Sequence, residues 1–232
     1  LIGSVKMSQS TQERILAAAE TLFAEKGFSS STLRDVTDRA GVNLASVNYH
    51  FGSKEALFKE MLRRRIEPIN RRRVALLEAA LLETEGKPLS LETLYRVMLE
   101  PLTKSLIRNG DFDDIFLGII AQSFAEPTNF LQKVHHQFVK QVADRFGSEL
   151  RRSLGVPGLS EEEAAWRMYF SMSTIMGSLV QHRRISTCFP GISDPTDMER
   201  FTRYLIGFIC GGMQAPAEGP EVPPGPVKNP TS

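Results

Sequence analysis

The chain has 232 residues, 41% of them hydrophobic, and 28 Lys and Arg against 27 Asp and Glu give a formal net charge of +1. This composition excludes a chain disordered throughout, and the near-neutral charge excludes a global field that would draw the molecule onto nucleic acid or an anionic membrane, so any nucleic-acid affinity must be local. Two isolated cysteines, Cys188 and Cys210, exclude a disulfide framework and a zinc cluster and fit a reducing, cytoplasmic setting; no apolar run reaches the roughly 18 residues of a membrane span.

Leu1 to Met7 lacks the apolar core of a signal peptide, so Met7 is the expected start, with Leu1 to Lys6 an upstream remnant. Ser10-Thr11-Gln12-Glu13 has the S-x-x-E form of a capping box, and Ile15, Ala19, Leu22 and Phe23 follow at helical spacing until Gly27 offers a left-handed stop. Thr32, with Asp35 three residues on, starts a second helix of about eight residues, which carries Leu33, Val36 and Ala40 and stops at Gly41. A third segment, Val42 to Phe51, is too short to be stable alone, and Val47 and Phe51 can anchor it on the first two. Ser53 then caps a long fourth helix reaching about Leu82, in which Pro68 predicts a kink. Three further helices are expected over Leu91–Leu102, Ile115–Phe124 and Leu131–Phe146. Residues 161 to 185 are apolar nearly all round and call for partners on two faces; a last helix spans about 196 to 213. From Ala215 to Ser232 the composition is Pro-rich, the signature of a disordered tail. No strand alternation and no internal repeat are visible.

The fold class expected is therefore all-α: a helix-turn-helix domain over residues 7–53, a helical domain over 54–214 and a disordered tail over 215–232. The turn Ala40-Gly41-Val42-Asn43 joins the second and third helices, and Asn43, Ser46, Asn48, Tyr49 and His50 on the third are small or planar polar groups that can reach base edges or phosphates in a major groove. Ala45 keeps one side low enough for close approach, and Lys54 opens the fourth helix, where its charge adds to exposed N–H groups at a phosphate.

At these residues the chain resembles the TetR family of bacterial transcriptional repressors. The resemblance is carried by Arg14-Ile15-Leu16-Ala17-Ala18-Ala19, Leu22-Phe23-Ala24-Glu25-Lys26-Gly27-Phe28, Thr32-Leu33-Arg34-Asp35-Val36, Ala40-Gly41-Val42 and Asn48-Tyr49-His50-Phe51-Gly52-Ser53-Lys54-Glu55-Ala56-Leu57. It implies Tyr49, His50 and Lys54 on the phosphate backbone, Asn43, Ala45, Ser46 and Asn48 towards the bases, and Ser31, Thr32 and Arg34 on the flanking backbone or a base. It also implies a repressor, not an enzyme, on double-stranded DNA with a palindromic operator, and an inducer pocket in the second domain. The segment Trp166-Arg167-Met168-Tyr169-Phe170 looks like the fatty-acid-responsive branch of that family, which implies a fatty acid or acyl effector.

From Met7 to Glu60 the acidic residues outnumber the basic by one, so a single head should bind DNA weakly and two linked heads fit better. A homodimer through residues 161–213 is the expectation, helped by Gly207, Gly211 and Gly212. Phe112, Phe116, Phe138, Met168, Met172 and Met176 suit either an apolar effector pocket or an ordinary core. Arg63, Arg64, Arg65, Arg71, Arg72 and Arg73 flank Pro68; they form a solvated or acid-paired face, or one or two of them, Arg65 first, meet an effector carboxylate. His135 and His136 cannot easily share one metal, and His135 with His182 is a weak pair, so no metal or other cofactor is expected. Two rivals stay open: a metal-responsive regulator of the same fold, and a helical protein-interaction module without operator specificity. Glycine-rich phosphate loops and nucleophile–base pairs are missing, which argues against an enzyme.

Overall fold

The computed structural model describes residues 10–217 apart from 109–110, 127, 182–183, 192–193 and 195–196, and of residues 108, 111, 139, 141 and 186 only the backbone. The expectations for Leu1 to Lys6, for most of the Pro-rich tail and for His182 lie outside the described residues.

The order is α1 (Thr11–Lys26), α2 (Leu33–Ala40), α3 (Leu44–Phe51), α4 (Lys54–Glu83), α5 (Leu91–Ser105), β1 (Ile107–Arg108), β2 (Asp111–Phe112), α6 (Asp114–Ala125), α7 (Asn129–Leu154), α8 (Glu161–Gln181), α9 (Arg184–Cys188) and α10 (Met198–Met213). Capping chemistry sets most of the starts. Ser10, Thr32, Asn43, Ser53, Ser90, Asp113, Thr128 and Asp197 each accept, on a side-chain oxygen, a backbone N–H of the first turn. Ser10 and Thr32 complete reciprocal boxes with Glu13 and Asp35.

Two details stand apart from the sequence reading and a third agrees with it. In place of one helix over 161–185, α8 is described from Glu161 to Gln181 and α9 from Arg184, with residues 182 and 183 outside the described residues. Ile107 and Arg108 pair antiparallel with Phe112 and Asp111, a two-residue ladder too short to leave an alternating pattern. Pro68 sits at an exposed position inside α4, which runs on to Glu83 as expected; the missing N–H costs one backbone bond and neighbouring turns hold the rest.

The core forms three clusters strung along α4. The first joins Ile15, Leu22 and Phe23 of α1 to Val36 of α2, Val47 of α3, Leu57, Phe58 and Met61 of α4, Ile119 of α6 and Leu131 and Val134 of α7. The first three helices thus do not close a core by themselves; two of them have only eight residues, and their apolar faces need α4, α6 and α7 to be covered. A second cluster packs α5 and α6 against α8 and α10 around Tyr95, Leu99, Phe116 and Ile206, and a third joins Leu77 and Leu94 to Val142 and Phe146. Among the described residues no helix is long and apolar enough to cross a membrane.

Candidate nucleic-acid interface

The turn between α2 and α3 is built from its backbone outward. Gly41 takes the left-handed conformation, φ 62°, and its N–H is donated to carbonyls of the last turn of α2. Val42 N–H reaches back to Thr37 O at 3.1 Å. Arg14 of α1 completes the turn, because one guanidinium nitrogen donates to Ala40 O at 2.6 Å and to Gly41 O at 2.9 Å and so places a positive charge on the carbonyl end of α2. A Cβ at Gly41 would stand 3.0 Å from that nitrogen, a second reason for glycine there.

On α3, Val47 is fully buried and Phe51 half-buried, which turns the opposite side outward. Asn43, Ala45, Asn48, Tyr49 and His50 are exposed, Tyr49 to 86%, with the Tyr49 and His50 rings 5.2 Å apart edge to face. Ser46 is half-buried; its N–H and hydroxyl both donate to Asn43 Oδ1, at 2.8 and 2.9 Å, so these two side chains first of all cap the helix. Leu44, which sequence reasoning passed over, is 49% exposed beside them and could meet a thymine methyl group. An isolated leucine carries no signal for exposure, which only the docking angle of α3 reveals.

Thr32 and Arg34 lie exposed at the start of α2. The Thr32 hydroxyl is engaged with Asp35, whose carboxyl it holds below the usual carboxylate range, while Arg34 has no ion pair among the described residues. Ser31 corrects the sequence reading. It is 1% exposed and donates to Gly27 O at 2.6 Å, so its side chain braces the α1–α2 turn and does not face outward. Lys54 is partly diverted as well: its ammonium lies 4.3 Å over the Phe28 ring and donates to Phe28 O at 3.0 Å and Ser31 O at 2.9 Å, which leaves one N–H of three. Lys54→Met is therefore expected to lower stability by about 1 kcal/mol in a thermal denaturation, beyond any loss of DNA affinity.

The same turn is gripped from the second half of the chain. Glu126, just past α6, accepts from Ser29 N–H at 2.8 Å, and its other oxygen occupies the space where a Cβ on Gly27 (φ 80°) would stand. Upstream on α6, Gly118 lies against α1 so closely that a Cβ would be 3.1 Å from Ala24 Cβ. At its N-terminal end Asp113, buried, accepts from Phe116 N–H and pairs with Arg65 of α4, whose guanidinium lies 4.5 Å above the Phe116 ring. The contacts of Asp113 with Arg65 and of Glu126 with Ser29 carried no sequence signal, since the partners are 48 and 97 residues away.

The seven effector candidates do not converge on one site. Arg65 already has its carboxylate in Asp113. Phe112 and Phe116 are buried in the second cluster, and Met168 packs against it. Phe138 packs against the first cluster, Met172 is exposed and Met176 half-buried. Of the arginine run, Arg63 and Arg64 bind Glu60, whose carboxyl Arg63 holds down at about 2, and Arg71 pairs with Glu67. His135 donates or accepts with Ser123 Oγ at 2.9 Å and stacks on Phe124, while His136 is exposed; among the described residues no cluster of three or more metal-ligating groups occurs.

Residues 15–61 match the family profile described as bacterial regulatory proteins, tetR family, and residues 96–212 the one described as tetracyclin repressor-like, C-terminal domain. The HTH-type transcriptional repressor KstR2 of Mycolicibacterium smegmatis is 41% identical over 54 residues, 23% of this chain and 26% of that protein. The KstR2 of Rhodococcus jostii is 47% identical over 49 residues, 21% and 24% of the two chains. IcaR of Staphylococcus aureus, a negative regulator of the icaADBC biofilm operon, is 22% identical over 126 residues, 54% of this chain and 60% of that one. The matched part thus spans about a quarter of the KstR2 proteins' length, 26% and 24%. Among solved structures, AmtR of Mycobacterium smegmatis superimposes with a TM-score of 0.58 at 15% identity, over 93% of this chain and 92% of that one. NalD of Pseudomonas aeruginosa gives 0.55 at 22% identity, over 87% and 95%. At these identities the likeness is one of fold.

Proposed function

The chain belongs to the tetR family of bacterial regulatory proteins, and from that membership we propose that it is a transcriptional repressor which binds an inverted-repeat operator as a homodimer and is released by a small organic effector. The observation that carries the reading is the outer face of α3. Asn43, Ala45, Asn48, Tyr49 and His50 stand clear on a helix whose other side is locked by Val47, Arg14 and the Gly41 turn. A polar, narrow, rigidly held helix face is what a major groove accepts.

Charge argues for two heads. Glu25 pairs with Arg39 at 2.8 Å and Asp35 with Lys26 at 3.8 Å, so much of the head's positive charge is already neutralised. The second copy is met by α8 and α10. Trp166, Tyr169 and Phe170 form an exposed aromatic group on α8, and Tyr204 and Phe208 stand exposed on α10, where a Cβ on Gly207, Gly211 or Gly212 would meet nothing within 4 Å. An apolar face of this kind on two neighbouring helices suits a four-helix contact between copies. The relatives named as repressor or negative regulator favour repression over activation. An effector in the helical domain would act through α4 and α6, which hold the α1–α2 turn from two sides by Lys54 and Glu126.

Selection of bound duplexes from a random pool by the full chain tests the proposal. Enrichment of an inverted repeat is expected, and no enrichment by the folded protein overturns it. On the selected site Asn48→Ala is expected to change the preferred base at one position of each half-site, and Tyr49→Ala to weaken binding to all duplexes about tenfold, the worth of about one charge-assisted hydrogen bond. Mobility shifts at fixed salt measure both.

A further inference from the structure

Of the six arginines on α4, Arg73 is the one set inside the helical domain without a carboxylate. It is half-buried by surface area, but protein surrounds its guanidinium closely enough that desolvation lowers its pKa to about 10, still charged at neutral pH. Its bonds run to neutral acceptors: Nε donates to Met98 O of α5 at 2.7 Å and Nη1 to Asn70 Oδ1 at 3.1 Å. Asn70, itself 5% exposed, passes the contact on to Phe138 O of α7 at 3.0 Å.

The carboxylates on the helices around Arg73 are engaged elsewhere. Glu67 binds Arg63, Glu78 binds Arg145, Glu100 binds Lys104, and Asp144 binds Lys140. A guanidinium offers five N–H donors, and two bonds leave three for another acceptor. Nη2 of Arg73 makes no hydrogen bond among the described residues and is not sealed from solvent.

The surroundings supply the rest of a site. Arg73 lies between Ile69 of the second core cluster and Leu77 of the third, and Met98 packs against both clusters, so the cation stands where two apolar clusters meet without merging. A buried charge held only by neutral dipoles is costly, and an apolar residue at position 73 would pack there without that penalty. The cost is recovered when an anion arrives, and a guanidinium fork matches a carboxylate edge to edge.

We propose that Arg73 anchors the carboxylate of an organic acid effector whose apolar body lies against Met98 and Phe138. The proposal rests on the effector-released reading above and assigns to it a ligand class and a residue; it replaces Arg65, which Asp113 already occupies.

The test uses the full chain without DNA and two carboxylate probes, octanoate and benzoate, against their uncharged counterparts 1-octanol and benzyl alcohol, by titration calorimetry. At least one carboxylate is expected to bind at least tenfold more tightly than its alcohol. Arg73→Met is expected to bring that ratio to about one while leaving the helical circular dichroism intact. Should that variant fail to fold, Asn70→Asp places an internal carboxylate one turn from Arg73 and is expected to abolish the preference in the same way. Equal binding of acids and alcohols, no binding of either acid, or a preference that survives these substitutions overturns the proposal. A mobility shift on the selected duplex separates the two readings: DNA binding without carboxylate preference removes Arg73 as anchor and leaves the DNA-binding reading intact, and carboxylate preference without DNA binding does the reverse.

Discussion

Phe208→Asp is expected to halve the protein's mass in solution and to weaken operator binding by more than about 100-fold, the low end of what linking two binding modules supplies. Phe208 is 73% exposed on α10 and lies outside the three core clusters, so the substitution leaves the single chain's packing untouched. In the proposed dimer it would bury a carboxylate among aromatic rings, Tyr204 on its own helix and Trp166 and Phe170 on the neighbouring α8, and a buried charge without a partner is not tolerated there. The loss of DNA binding follows from the paired charges of the head: one copy has little net attraction for phosphate, and the second half-site contributes only when the two copies are joined. Light scattering after size exclusion, with a mobility shift on the same samples, reads both. An unchanged mass, or a monomer that binds the operator as tightly as the parent, would sink the dimer on this face.

Gly118→Val is expected to be strongly damaging where the two halves of the chain meet. The α6 backbone approaches α1 so closely at Gly118 that an added Cβ stands 3.1 Å from Ala24 Cβ and 3.4 Å from Ala24 O. An alanine requires the neighbour to give by a few tenths of an ångström, whereas the two further methyl groups of valine have no room. Overpacking of this kind costs about 1–3 kcal/mol, which in a chain of this size lowers the thermal midpoint by roughly 2–12 °C. Moving α6 also carries Glu126 away from Ser29 N–H, so the α1–α2 turn loosens and operator affinity is expected to fall together with stability. A calorimetric scan of Gly118→Ala and Gly118→Val beside a mobility shift checks this. A Val variant with the parent's midpoint would show that the α1–α6 contact carries no strain.

What could be read without coordinates follows the reach of the forces involved. Caps, stops and helical period act within four residues, so the starts of α1, α2 and α4, the Gly27 and Gly41 stops and the turn before α3 all stood in the sequence, and with them the all-α class and the outward-facing Asn48, Tyr49 and His50. Family likeness reached the same stretch through the run from Asn48 to Leu57. Ser31 was misread because its hydroxyl bond to Gly27 O depends on how the turn folds back, not on residue type. The two-residue ladder before α6 is too short to leave any period.

The helical domain shows the other side of this division. Its sequence announced many arginines, phenylalanines and methionines and could not say which of them meet across helices, because pairings such as Arg73 with Met98 O and Arg65 with Asp113 join residues 25 and 48 positions apart and depend on which helix faces come together. By itself the sequence determined the long helices, the caps at Ser10, Thr32 and Ser53 and the polar face of α3, all settled by neighbours along the chain. Only the tertiary structure decided that α6 grips the α1–α2 turn, that Asp113 takes Arg65 and that Arg73 is left with neutral partners, since which charge is compensated depends on what packing brings within reach of it.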